Sequence, residues 1–581
     1  MKKKVLMAII LMTVSLSLIM GQKPSGLRIT QTDESGDTGL PEYMFDDLPL
    51  TPGGWVDFET IVQSGYENAR VVFVSNEGDD NSGQIYGIND ITFDSNGMFQ
   101  PAVSVNAYET LSEANAQMRE GYPDIILLER GNEWTEGFCG DGAGEPQSGY
   151  SAENRHIIAS YGSGPRPALH LDSSQIGFYN YDENYIIVSG IRFYADDWLN
   201  SERALDIRGS SQDILLEDLK VDRHAGGIFQ GQMGNVLRNM AVRRCIFTEH
   251  EAHDGMFYAS HADGLLFEEC VFYKPYDDSY SDQSRYGRIF YLNPGDGINV
   301  DDLKNLELHK NIFYSSERDA VDCRAGGTVA NNLFVQADLR IGGIGGSSGS
   351  VVSGTIMYNV FTQSTENVGR SSDITLINPV GVDIQNNIWV DPGNAQGETN
   401  AITIKPDSEN YSYAEQIDIS NNLIYGWKVP DQASRSIWFV STYSSYNTQN
   451  VSDISIYNNE IQQINGSTDL ISITSIIVPH TTLIGNKYYS TDSMSDWFTP
   501  GGDFDSWVEA TDETGAETGE ITYPDPNRTI DSYYSSIGGT SSTTEFINRT
   551  LNQARHYWSP QYTAGAANNY IREGFDREPL D

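Results

Sequence analysis

Seven asparagines, Asn311, Asn332, Asn359, Asn387, Asn422, Asn459 and Asn486, occupy the same place in a recurring short pattern. In each copy alternating apolar residues lead to the asparagine, and a two-residue close ends the unit. Cys245 and Cys270 hold that place in two earlier copies. The copies begin near 186–193, 214–221 and 242–247 and recur at intervals of about 20 to 40 residues as far as 483–488. An amide repeated at one corner of every turn of chain can bond its equivalents above and below. Asparagine also tolerates the left-handed backbone that a tight corner needs.

Each unit alternates with a strand's period of two, and no long segment of helical period separates the units. A barrel or doubly wound sheet built on β–α–β units is therefore disfavoured. The pattern resembles the right-handed parallel β-helix, an all-β solenoid, over roughly residues 120–490. Coils of such a fold stack ~4.8 Å apart, so Cys245 and Cys270 are either a bridged pair or two stacked buried thiols.

The ends carry different signals. Met1-Lys2-Lys3-Lys4 followed by the apolar run 5–20 reads as a signal peptide over 1–21, because the run is shorter than the roughly 20 residues that span a bilayer. Residues 22–105 lead into the first strands, among them 71–74. The amphipathic segment 108–118 precedes the apolar run 124–128 and is expected to plug the first coil of a β-helix over 106–500. Residues 501–540 are rich in Gly, Asp and Thr and read as linker. Helical patterns at about 543–557 and 563–573 then complete a C-terminal cap within 501–581.

Composition narrows the function. Asp and Glu total 81 against 36 Lys and Arg, a formal net charge of −45, which is the wrong footprint for nucleic acid. Only one apolar run approaches spanning length, so the mature chain is expected to be exported, not inserted in a membrane, and monomeric. There is no serine-nucleophile elbow and no phosphate loop. His250, Glu251 and His253 lack the zinc-protease spacing.

Alternation places Asp206, Arg208, Phe229, Phe257, Asp301, Asp322, Arg324 and Arg340 on one outward face, with Val321, Cys323 and Ile341 inward. Five of the nine histidines lie between His224 and His309. The pattern suggests carboxylates for glycoside hydrolysis, Asp254, Asp301 and Asp322, with His224 or His253 tuning a proton position. Arg208, Arg324 and Arg340 suit sulfate or carboxylate groups, and Phe229, Phe257, Trp198 and Trp134 suit stacking on sugar rings. Asp79, Asp80 and Asn81 in one turn offer oxygens for a structural calcium; no cofactor is required. The bland alternative throughout is a solvated face with incidental ion pairs.

The opening series, strand 71–74, turn 77–83, helix and then Ile125-Ile126-Leu127-Leu128-Glu129-Arg130-Gly131-Asn132-Glu133-Trp134, resembles the start of secreted β-helix proteins of polysaccharide-degrading bacteria. So does 157–167, and 525–575 resembles their C-terminal helical segment. The resemblance implies a polysaccharide substrate, and points to an endo-acting hydrolase near the β-helix endo-fucanases on sulfated fucan. A polysaccharide lyase using Arg324, Arg340 and His224 is the alternative, and a non-catalytic carbohydrate-binding protein is the third.

Overall fold

The computed structural model describes residues 48–580 apart from 141, 173–174, 196–202, 224, 232–234, 249–255, 275–287, 293–302, 316–319, 343–350, 364–370, 392–398, 406–412, 428–433, 441–449, 465–468 and 492–493. The proposed signal peptide, Trp198, His224, His253, Asp254 and Asp301 lie outside the described residues.

Each coil visits three sheets in turn. Ile186–Ser189 belongs to the first sheet, Arg192–Ala195 to the second and Arg203–Arg208 to the third, before Gln212–Glu217 returns to the first. Among the described residues the sheets hold 16, 14 and 12 strands, and the coil-to-coil pairings are parallel. The protein is a parallel β-helix, as the asparagine column implied.

Register explains the core. In the third sheet one inward column runs Leu205, Gly227, Phe257, Phe290, Val321, Leu339, Ile374, Ile402, Ile437, Ile471, Phe498. In the second sheet Phe247, Phe272, Phe313, Phe334, Phe361 and Trp389 stack ring on ring, with centroids 4.6–5.3 Å apart. One ring per coil at this spacing gives offset stacking throughout.

This register corrects two assignments. Phe229 pairs with the inward Ile207, and Phe257 lies in the Leu205 column; both are fully buried. Each of these strands sits one residue out of the phase that the sequence alternation implies. Gly227 makes room for the Phe257 ring, since a Cβ there would stand 2.6 Å from it.

The asparagine column is a continuous ladder. The Nδ2 of Asn311, Asn332, Asn359, Asn387, Asn422 and Asn459 each donates to the next Oδ1 at 2.9–3.1 Å. The same Oδ1 atoms also accept the preceding asparagine's backbone N–H. The left-handed residue is not the asparagine itself but the one before it, for example Lys310, Asn331, Tyr358 and Asn386, with φ between 52° and 59°. The side-chain amide and the strained corner are thus divided between neighbours. Cys245 and Cys270 continue the column as free, buried thiols, not as a disulfide. Their sulfurs donate to the carbonyls of Arg243 and Glu268 at 3.1 and 3.4 Å.

The ends are closed. Leu111–Asn115 starts at Thr110, whose hydroxyl accepts the Glu113 N–H, and buries Leu111 and Ala114 against Val72 and Val74. At the far end 501–540 is no linker. Phe504–Thr511 seats Trp507 against Phe498, centroids 4.9 Å apart, and Ile530–Ser536 forms a further helix. With Thr543–Thr550 and Ala564–Gly574 it covers the outer face of the second sheet, burying Ile312, Leu333, Val360 and Ile388. Asn568 Nδ2 bonds Asn331 and Asn332 at the ladder's corner. Beyond these helices Arg555 reaches the start of the described chain, donating to Val56 O at 2.8 Å and Asn96 O at 3.0 Å, beside Glu217 at 3.8 Å.

Candidate functional site

The outward column of the third sheet runs Asp206, Ile228, Tyr258, Tyr291, Asp322, Arg340, Thr375, Thr403, Trp438. Because Val321 and Cys323 fill the core, Asp322 between them must face out; its side chain is nevertheless fully covered. The cover is cationic. Arg324 Nε lies 3.2 Å and Arg288 Nε 3.5 Å from Oδ2, while Arg340 Nε lies 3.8 Å from Oδ1. Tyr291 completes the cluster, its ring centroid 4.6 Å from the guanidinium carbons of both Arg288 and Arg324. Tyr258 stands one coil away, 5.8 Å between ring centroids.

Three guanidiniums therefore surround one carboxylate among the described residues. Asp322 holds the arginines as an array, and the forks present donors in the planar arrangement that carboxylate and sulfate groups match. Three coils before Tyr291, the face carries Asp206 and Arg208, joined at 2.6 and 2.7 Å. That pair is four coils from Asp322, about 19 Å at ~4.8 Å per coil.

The structure thus brings Asp322, Arg324 and Arg340 together and sets Arg208 apart. Phe229 and Phe257 belong to the core, and Trp134 is buried with its Nε1 donating to Glu109 O. Arg288, Tyr291 and Tyr258 had not been singled out. The signal for Tyr291 was the short run Ile289-Phe290-Tyr291-Leu292, whose alternation puts the tyrosine outward.

The acidic turn near the first coil has other work. Asp79 accepts from Asn81 and Ser82, and Asp80 accepts the Glu109 and Thr110 N–H groups and the Thr110 hydroxyl. Those oxygens close the turn and start the capping helix. Among the described residues no group of three or more His, Cys, Asp or Glu side chains gathers as metal ligands.

His156 and His309 are both pushed down to about 4, first of all by burial. Asp263 lies on the first sheet, bonded to Asn305, away from the arginine cluster.

No protein-family model and no curated protein matches the chain. Among solved structures it is similar to an alginate lyase from a Paenibacillus species, at 15% identity over 64% of this chain and 95% of that one, TM-score 0.29. It is similar to a mannuronic acid specific polysaccharide family 6 lyase from human gut microbiota, at 10% identity over 76% and 96%, TM-score 0.40. It is also similar to a lacto-N-biosidase from Eubacterium ramulus, at 11% identity over 78% and 68%, TM-score 0.30. At these scores the likenesses assign no activity. Among the described residues, no helix is long and apolar enough to cross a membrane.

Proposed function

We propose that the protein is an exported, monomeric enzyme that depolymerises an anionic polysaccharide, holding carboxylate or sulfate groups with Arg288, Arg324 and Arg340. The observation that carries this reading is the ring of guanidiniums about Asp322 on an outward sheet face. A chain of net charge −45 repels a polyanion unless cations meet it locally.

The described geometry favours β-elimination from a uronic acid. That reaction needs cations on the sugar carboxylate, which acidify the neighbouring C–H, and a group that takes the proton. Arg324 and Arg340 supply the first. We assign the second role to Tyr291, which two guanidiniums flank; as it takes the proton a C=C bond forms, the adjacent glycosidic C–O bond breaks, and the leaving oxygen takes a proton from water. Hydrolysis of a sulfated, fucan-like chain is the second reading. It needs a carboxylate pair about 5 to 9.5 Å apart, with Asp322 as one member and Asp254 or Asp301 as the other. Asp206, at about 19 Å, is too far to serve.

The test is incubation with alginate, polygalacturonate and sulfated fucan, following reducing ends and ultraviolet absorbance together. New reducing ends with absorbance mean elimination; reducing ends without absorbance mean hydrolysis. Neither signal on any anionic polymer overturns the proposal.

A further inference from the structure

The arginine-ringed face does not end at Arg340. The next two outward residues in the column are Thr375 and Thr403, and the third is Trp438. The threonines are short, and the Thr403 hydroxyl is pinned to that of Ser372 at 2.8 Å. These two hydroxylated positions, with Thr403 itself covered, separate two taller groups.

Trp438 points outward because Ile437 and Phe439 on either side fill the core. An indole on the outside of a sheet leaves part of its apolar area to water, and this one is only partly covered. It is also held in place. The guanidinium carbon of Arg435 lies 4.4 Å from its ring centroid, and Arg435 Nε lies 3.7 Å from Asp469 Oδ2. Asp469 is fixed in turn by the Thr499 hydroxyl at 3.1 Å. Burial raises the Asp469 carboxyl above the usual range, and the Thr499 hydroxyl and Arg435 oppose this. The group therefore repeats the composition of the central cluster: an aspartate, an arginine and an aromatic ring.

We propose that Trp438 and Arg435 form a distal subsite that grips one more sugar of the same anionic chain, so that the polymer is held at two points along the coil axis. The inference rests on the polysaccharide reading above. Trp438 stands three coils from Arg340 and four from Asp322, about 14 and 19 Å at ~4.8 Å per coil. A sugar ring offers C–H groups on its face to the indole, while a sulfate or carboxylate on its edge meets the Arg435 fork. Only a chain long enough to span the two intervening coils engages both clusters. The consequence is a preference for polymer over short oligosaccharides.

The test uses full-length Trp438→Ala, Trp438→Phe and Arg435→Gln with Arg340→Ala as a central-site control, each with an unchanged circular dichroism spectrum. Affinity electrophoresis in gels cast with alginate, polygalacturonate or sulfated fucan reads binding without cleavage. Size-fractionated oligosaccharides of whichever polymer the wild type cleaves read the length dependence of kcat/KM. The expectation is that Trp438→Ala and Arg435→Gln lose about tenfold on long chains, one charge-assisted contact's worth, and nothing on the shortest cleaved oligomer. Trp438→Phe restores most of the loss, whereas Arg340→Ala weakens long and short chains alike. Wild-type retardation and wild-type length dependence in Trp438→Ala overturn the subsite. Retardation that depends on Trp438 without cleavage of any polymer keeps the subsite and overturns the depolymerase reading. Absence of retardation in all three gels overturns both.

Discussion

Asn486 gives its side-chain amide to Glu513 Oε1 at 2.7 Å, so a ladder of seven amides ends on a carboxylate. The same carboxylate accepts the Tyr488 hydroxyl at 3.0 Å and the Trp507 indole N–H at 2.7 Å. Every amide before it finds an acceptor on the next coil. At the last coil there is no further asparagine, and an acceptor-only group takes its place.

Glu513→Gln keeps one acceptor oxygen but turns an amide N–H₂ toward at least one of the donors, and Glu513→Ala removes the acceptor altogether. Each leaves buried donors without partners, at about 1–3 kcal/mol per group. The expected outcome is a lower urea midpoint for both variants, larger for alanine. A midpoint equal to wild type would show that the ladder's end contributes nothing.

Acid should weaken the fold through its two buried histidines. In the native protein His156 and His309 are held down to about 4 by burial, while in the unfolded chain they titrate near 6.5. Between those values the unfolded state binds the additional protons, so stability falls as pH drops from about 6.5 toward 4. The slope is at most about 1.4 kcal/mol per pH unit for each histidine. Urea unfolding at pH 7 and pH 5 should show a smaller loss in His156→Gln than in wild type. An identical pH slope in both proteins would contradict this.

Arg340→Ala and Asp322→Asn should separate binding from order. Arg340→Ala is expected to weaken polymer binding by about tenfold or more, the magnitude of one charged hydrogen bond, and to flatten the salt dependence. Asp322→Asn leaves three guanidiniums without their shared counter-charge. Turnover should then be abolished, while binding of the anionic polymer survives. Full turnover in Asp322→Asn would remove that residue from the site.

Arg555 is the point where the tail meets the opening segment. Its replacement by alanine frees the Val56 and Asn96 carbonyls and removes one of the two cations nearest the buried Glu217. Because Glu217 keeps Arg243 at 3.1 Å, the loss is expected to fall below the ~3–5 kcal/mol of breaking a buried pair outright. Thermal unfolding followed at the first coils, for instance by protease nicking near Val56, should move to lower temperature. Unchanged nicking would mean the contact is incidental.

Much of the fold could be read from the residues because the ladder and the inward columns each demand one residue class at every coil. Asn311 through Asn486 announce themselves by identity, and Ile374, Ile402, Ile437 and Ile471 by alternation. The short strands of the third sheet were harder. Phe257 opens its strand, so nothing before it in sequence sets the phase, and the ring went to the wrong side. Helix Phe504–Thr511 hid inside a Gly- and Asp-rich stretch because its packing rests chiefly on one residue, Trp507, with little periodic apolar face. Asp322, Arg324 and Arg340 were legible as a group because Arg324 follows Asp322 by two residues, just past the end of strand Val321–Cys323, and Arg340 is one coil away. Arg288 was not, since it precedes its strand and reaches the cluster only through the stacking of coils.

The tail's return from the last coil to Val56 has a bearing on how the molecule is made. Stacked coils can form one upon another as the polypeptide emerges, each templating the next. The contacts of Arg555 with Val56, Asn96 and Glu217 cannot form until synthesis has passed residue 555. The opening segment is therefore fastened in two stages: Glu217, Arg243 and Arg244 hold Val56, Gly54 and Gly53 as the early coils form, and Arg555 adds a second clasp only after synthesis has passed it.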